Sequence, residues 1–174
     1  IEEGGRQYRL AFSGDLGRRN LPILRDPTFL KDVDYVIMES TYGSKTHRPP
    51  EEAKTELRQV LRETIARGGK VIIPSFAVGR AQDLIYELHQ MRVANEIPEL
   101  PIFVDSPLAI NATDAFRAHP ELFDEETQAL IRADRHGDAL GFSGLKYTRS
   151  VEESKAINDV KGPAVIISAS GMCE

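Results

Sequence analysis

Five short stretches of this 174-residue chain carry side chains able to do chemistry. Asp15, in Ser13-Gly14-Asp15-Leu16-Gly17, and Glu39, in Met38-Glu39-Ser40-Thr41, are carboxylates that follow apolar runs. Acids so placed can ligate a metal or handle a proton. The plain alternative for Asp15 is a turn residue bonded to its own backbone. Glu39 ends a strongly apolar run, so it is expected to be partly buried and to need a partner: a cation, a histidine or backbone N–H groups. A third stretch, Ser75-Phe76-Ala77-Val78-Gly79-Arg80-Ala81-Gln82, leads into helix-like sequence. Free N–H groups at a helix start, with the Arg80 guanidinium, suit an anion such as a phosphate, although an ordinary loop with a solvated Arg80 reads equally well. It lacks the Lys-Ser/Thr ending of a P-loop. Asp105-Ser106-Pro107 has the form of a helix cap, and Ser168-Ala169-Ser170-Gly171 forms another small, polar turn.

Histidines add little. The four, His47, His89, His119 and His136, are scattered, and no pair has helical i, i+4 spacing. A dinuclear zinc site cannot be assembled from them by any pattern we recognise. His89 reads as a surface residue of a helix and His119, before a proline, as a loop residue. The single Cys173 excludes an internal disulfide framework and fits a reducing cytoplasm. A net charge of −5 argues against coating nucleic acid by bulk charge and leaves room only for a local basic groove. No apolar run approaches the about 18 residues of a membrane span. A cytoplasmic protein off the membrane is expected.

The elements that must position these residues follow from periodicity. Tyr8–Ser13 and Tyr35–Glu39 read as strands, the second buried. Ser40–Pro50 is a polar connection and the expected domain boundary. Glu51–Arg67 places Leu57, Val60, Leu61 and Ile65 at helical spacing and stops at Gly68-Gly69. Lys70–Ser75, Ile102–Asp105 and Ala164–Ser168 read as strands of a parallel sheet, with a helix carrying Ala81, Leu84, Ile85, Leu88 and Met91 after the first. Helices are expected at about Ala109–Ala118, Glu121–Ala133 and Val151–Asn158, with a short strand near Tyr147. The fold class is α/β, a parallel sheet with helices on both faces. The three strand ends should then converge on one crevice.

Phe12-Ser13-Gly14-Asp15-Leu16-Gly17-Arg18, Glu39-Ser40-Thr41-Tyr42-Gly43, Pro74-Ser75-Phe76-Ala77-Val78-Gly79-Arg80-Ala81-Gln82, Asp105-Ser106-Pro107-Leu108-Ala109 and Ser168-Ala169-Ser170-Gly171-Met172 occur in this order. Together they resemble the metallo-β-lactamase-fold nucleases with a β-CASP domain, most of all the bacterial and archaeal RNA-processing members and the cleavage-and-polyadenylation-factor endonuclease. The resemblance spans almost the whole chain.

It implies residues 1–44 as the C-terminal part of a metallo-β-lactamase αββα segment and 45–174 as a C-terminally truncated β-CASP domain. It also implies two zinc ions in the intact parent, bridged by Asp15. Glu39 is implied as an acid pairing with a histidine near the scissile phosphate, and Ser75, Arg80, Ser106 and Ser170 as the face toward RNA. The family's His-x-His-x-Asp-His motif and later histidines are not in this sequence, so the chain alone is expected to bind no zinc and to be inactive. Homodimerisation, common in such enzymes, is a further expectation. The competing readings are a non-catalytic RNA-binding lid and a small-molecule-binding α/β domain.

Overall fold

The computed structural model describes residues 1–17, 19–133 and 137–168, the side chain of residue 3 excepted. Its elements are β1 (Glu2–Glu3), β2 (Arg6–Gln7), β3 (Leu10–Phe12), β4 (Tyr35–Ile37), α1 (Pro50–Ala66), β5 (Lys70–Pro74), α2 (Arg80–Val93), β6 (Ile102–Asp105), α3 (Pro107–Ala118), α4 (Glu125–Ala133), β7 (Leu145–Tyr147), α5 (Val151–Ala156) and β8 (Ala164–Ser168). Single 3₁₀ turns lie at Pro120–Leu122 and Ile157–Asp159.

Four of the strands form an all-parallel sheet in the order β5-β8-β6-β7. Going from β5 to β6 and from β6 to β7, the chain steps in one direction along this sheet; from β7 to β8 it steps back. Right-handed crossovers therefore put α2, α3 and α4 on one face and α5 on the other. The packing agrees. Ile85 and Leu88 of α2, Ile110 of α3 and Leu61 of α1 share a core with Ile102, Val104, Val165 and Ile167. On the opposite face, Ile157 and Val160 close over Phe103, Ala164 and Ile166. The alternation along β6 and β8 divides the two cores, as a pleat requires. This is the expected α/β arrangement of parallel strands flanked by helices.

β3 and β4 form a separate parallel pair. Its strands are shorter than expected, and β4 is more than half exposed along its length rather than buried. The linker between them is anchored by Ile23, fully buried in the main core with φ +76°. A β-branched residue seldom takes that conformation. The segment 120–124 holds it there: Asp124 N–H donates to Ile23 O at 2.9 Å and Arg25 N–H to Leu122 O at 3.1 Å.

Two further differences have local causes. The β1–β2 hairpin was not foreseen; Gly4 and Gly5, with φ +57° and +76°, supply the two left-handed residues that a tight hairpin turn requires. The helix expected over Glu121–Ala133 is interrupted, because Phe123 is extended and buried in the core and Asp124 restarts the helix, its Oδ1 accepting the Thr127 N–H at 2.7 Å.

Candidate functional site

The register of the large sheet sets Pro74, Ser168 and Asp105 side by side at its carboxyl edge. Ser75 N–H donates to Ser168 O at 2.9 Å, and Thr148 N–H to Val104 O at 3.1 Å. The convergence of three strand ends on one edge is thus observed, with Thr148 as a fourth contributor. From β6 the chain leaves to α3 on one face, and from neighbouring β7 to α5 on the other. Such a switch point opens a crevice between strands. The Asp105 carboxylate sits there and accepts from Thr148 Oγ1 at 2.7 Å and Ser154 Oγ at 3.0 Å. Ser106 beside it is buried, and its Oγ accepts the Ala109 N–H at 3.2 Å, so this hydroxyl acts as the cap of α3.

The loop from β5 to α2 is wound tightly. Gly79 has φ +79° and ψ −67°, and Arg80 N–H returns to Val78 O at 3.1 Å, a γ-turn whose left-handed centre suits glycine. Ala81 N–H donates to Phe76 O at 3.1 Å. These bonds correct one expectation: the first two amides of α2 are taken by the loop's own carbonyls and are not free for an anion. The Arg80 guanidinium is 59 % exposed and 3.6 Å from Asp83, a loose surface ion pair of little energetic weight. Ser75 is buried, its Oγ 3.4 Å from Phe76 O, and so faces inward.

What fixes this loop is Gln82, which is fully buried. Its Oε1 accepts the Gly79 N–H at 2.7 Å, while Nε2 donates to Ala77 O at 3.1 Å, Ala109 O at 3.2 Å and Thr113 Oγ1 at 2.9 Å. With two hydrogens on Nε2, one N–H is shared between Ala109 O and Thr113 Oγ1, and the flipped amide would set its oxygen against the Ala77 and Ala109 carbonyls. One side chain thus locks the β5–α2 loop to the start of α3.

Asp15 and Glu39 lie together at the carboxyl end of the β3–β4 pair. Ser13 N–H donates to Ile37 O at 2.9 Å, and Glu39 N–H to Ser13 Oγ at 3.2 Å. Thr41 N–H donates to Glu39 Oε2 at 2.8 Å. The Thr41 N–H, then its hydroxyl, hold the Glu39 carboxyl below the usual glutamate range; slight burial opposes them, and the Leu16 N–H adds to the lowering. Glu39 therefore has a backbone N–H partner in Thr41, while Asp15 is exposed. Among the described residues no group of three or more His, Cys, Asp or Glu could hold a metal ion. Asp15 and Glu39 alone do not fit a four-ligand zinc site.

The hydrogen bonds that join Ser13, Glu39 and Thr41 and those that order Ser75, Arg80 and Ser106 form two separate sets. Ser170, His136 and Cys173 lie outside the described residues. His89 is corrected: it is buried, with Nδ1 3.0 Å from Ala139 O and its ring stacked on Phe142 at 4.9 Å. Sequence reasoning also passed over Gln82, Thr148 and Ser154. A glutamine three residues after the turn glycine was the available signal for the first. The others come from distant sequence and carried none.

The Beta-Casp domain family matches residues 81–174, from the second residue of α2 onward. The chain is 38 % identical over 168 residues to ribonuclease TTHA0252 of Thermus thermophilus, covering 97 % of this chain and 38 % of that protein. It is 31 % identical over 172 residues to transcription termination factor FttA of Lokiarchaeum sp., covering 97 % and 27 %. It is 31 % identical over 173 residues to endoribonuclease YSH1 of Saccharomyces cerevisiae, covering 95 % and 21 %. The chain thus spans well under half the length of each of these relatives. No helix among the described residues is long and apolar enough to cross a membrane. With more than half of its residues matched by that family, the chain belongs to the Beta-Casp domain family.

Proposed function

We propose that this chain is part of a zinc-dependent ribonuclease of RNA processing, cytoplasmic, with residues 1–44 from its metallo-β-lactamase segment and 45–174 from its β-CASP domain. The observation that carries the reading is the carboxyl edge of the large sheet: a switch-point crevice beside a rigid loop that presents Arg80 outward. The relatives named ribonuclease and endoribonuclease supply the substrate class. The β5–α2 loop precedes the matched span in sequence, yet β5 is a strand of the same sheet as β6, β7 and β8, which favours the earlier boundary.

In this reading Arg80 holds the RNA backbone, giving affinity and register rather than sequence choice. Ser75 and Ser106 shape the floor of the edge, since their hydroxyls are turned into the fold. Asp15 contributes one ligand to the metal centre, and the remaining ligands come from sequence outside this chain. Glu39, its carboxylate held by the Thr41 N–H, orients a histidine of the intact enzyme. The chain on its own is then inactive. A second reading is a non-catalytic RNA-binding lid, which would use the same carboxyl edge and Arg80 without a metal centre.

A cleavage assay separates the two. The intact gene product should cut an end-labelled single-stranded RNA, lose that activity to a chelator and regain it with Zn²⁺, and Asp15→Ala should abolish cutting while RNA is still bound. Cutting by Asp15→Ala would remove its metal role. RNA binding with no cutting by the native protein would leave only the lid.

A further inference from the structure

We propose that Phe76 is a stacking platform for a nucleobase, so that single-stranded RNA crossing the carboxyl edge lays a base on the Phe76 ring while a phosphate meets Arg80. The inference rests on the RNA reading above and adds a binding group that acts through its π-face. Phe76 is 63 % exposed, as is Val78, and Leu108 on the first turn of α3 is 61 % exposed. These side chains do not look outward for want of order. Along the loop the chain alternates: Ser75 is buried, Phe76 is out, Ala77 packs against the core and Val78 is out.

The backbone that presents them is fixed at three points: Ala81 N–H on Phe76 O, Gln82 Nε2 on Ala77 O and Gly79 N–H on Gln82 Oε1. Gln82 Nε2 also reaches Ala109 O, which holds Leu108 close to the same loop. An aromatic ring on a rigid mount loses little freedom when a ligand lands on it. Arg80, four residues on, carries the opposite charge to a nucleic-acid backbone, and its partner Asp83 grips it loosely at 3.6 Å. An exposed apolar ring on the same short loop as a loosely paired cation matches a nucleotide, a base with its phosphate, better than an apolar peptide, which has no anion for Arg80. Stacking of this kind tolerates any base, as a processing nuclease requires.

The test uses the intact gene product in chelator, a single-stranded RNA with a central 2-aminopurine, and the same RNA with abasic residues at its centre. Fluorescence quenching reports stacking, anisotropy reports affinity, and a urea midpoint checks the fold of each variant. Phe76→Leu, which keeps an apolar side chain without a ring, should weaken binding by about 5- to 150-fold and lose the quenching, with the salt dependence unchanged. Phe76→Trp should retain both. The abasic RNA should bind native protein and Phe76→Leu equally, and Arg80→Gln should lower the salt slope by about one. Native affinity and quenching in Phe76→Leu, with Arg80→Gln still impaired, would overturn the platform and leave the RNA reading standing. No RNA binding by the native protein would overturn both. A fall in the urea midpoint of Phe76→Leu with unchanged RNA affinity would overturn the platform and assign the ring to contact with another part of the protein.

Discussion

Replacing Gln82 with methionine keeps the volume of a fully buried side chain and deletes its amide. Four groups lose their partner, but two of them retain another. Thr113 Oγ1 still donates to Ala109 O at 2.8 Å, so neither of those atoms is left without a bond. Gly79 N–H and Ala77 O are left unpaired. An unsatisfied buried group costs about 1–3 kcal/mol, so two would cost about 2–6; because both lie in a half-buried loop that water can approach, about 3 kcal/mol is expected. That is a large part of a typical domain stability of about 5–15 kcal/mol. With a urea slope of about 2 kcal/mol/M, the unfolding midpoint of Gln82→Met should fall by about 1.5 M at unchanged slope. Thr113→Val, which removes one end of the bracket, should cost about 1 kcal/mol and be non-additive with the first. A Gln82→Met midpoint within about 0.3 M of the native one, about 0.6 kcal/mol at that slope, would refute the idea that this side chain holds the loop to α3.

The Glu39 carboxyl should titrate by NMR below the ordinary glutamate value, and Thr41→Val, which deletes one of its donors, should raise it. Because its folded pKa is lowered, whatever stability it contributes is present above the unfolded value and lost as pH falls through the folded one. Burial, opposed by the Arg117 cation, pushes the Tyr147 phenol up to about 12, and its hydroxyl donates to Leu140 O at 2.6 Å. The stability tied to it is intact below about pH 10 and lost as pH climbs toward 12, so the native protein should lose stability over that window relative to Tyr147→Phe, measured by urea midpoints. Ile23→Ala should cost about 2–5 kcal/mol for the cavity, as read by thermal unfolding.

Much of the α/β architecture could be read from periodicity. Leu57, Val60, Leu61 and Ile65 marked α1, although Val60 proves to lie outside the core at 45 % exposure, and three Val- and Ile-rich runs marked β5, β6 and β8, because in each case a local pattern reports a local element. The strand order could not be read so. Nothing in Ala164–Ser168 says that it slots between β5 and β6, since that choice is made by packing on both faces of the sheet. The carboxyl-edge residues were visible as small, polar strand ends, but their state was not. Whether the α2 amides were free depended on a γ-turn at Gly79, and whether Ser106 faced a ligand or capped its own helix depended on φ and ψ. His89 reads as a surface residue of its helix; its burial comes from Ala139 and Phe142, some fifty residues away.

Ultraviolet cross-linking of a uridine-rich single-stranded RNA to the intact gene product, followed by peptide mapping, tests most directly whether the carboxyl edge is the RNA-facing surface. Adducts should concentrate in residues 75–82 and 105–108 and weaken in Arg80→Gln. Adducts confined to the opposite ends of the strands, near Gly69-Lys70 and Pro101, with the 75–82 peptide unmodified, would contradict the assignment.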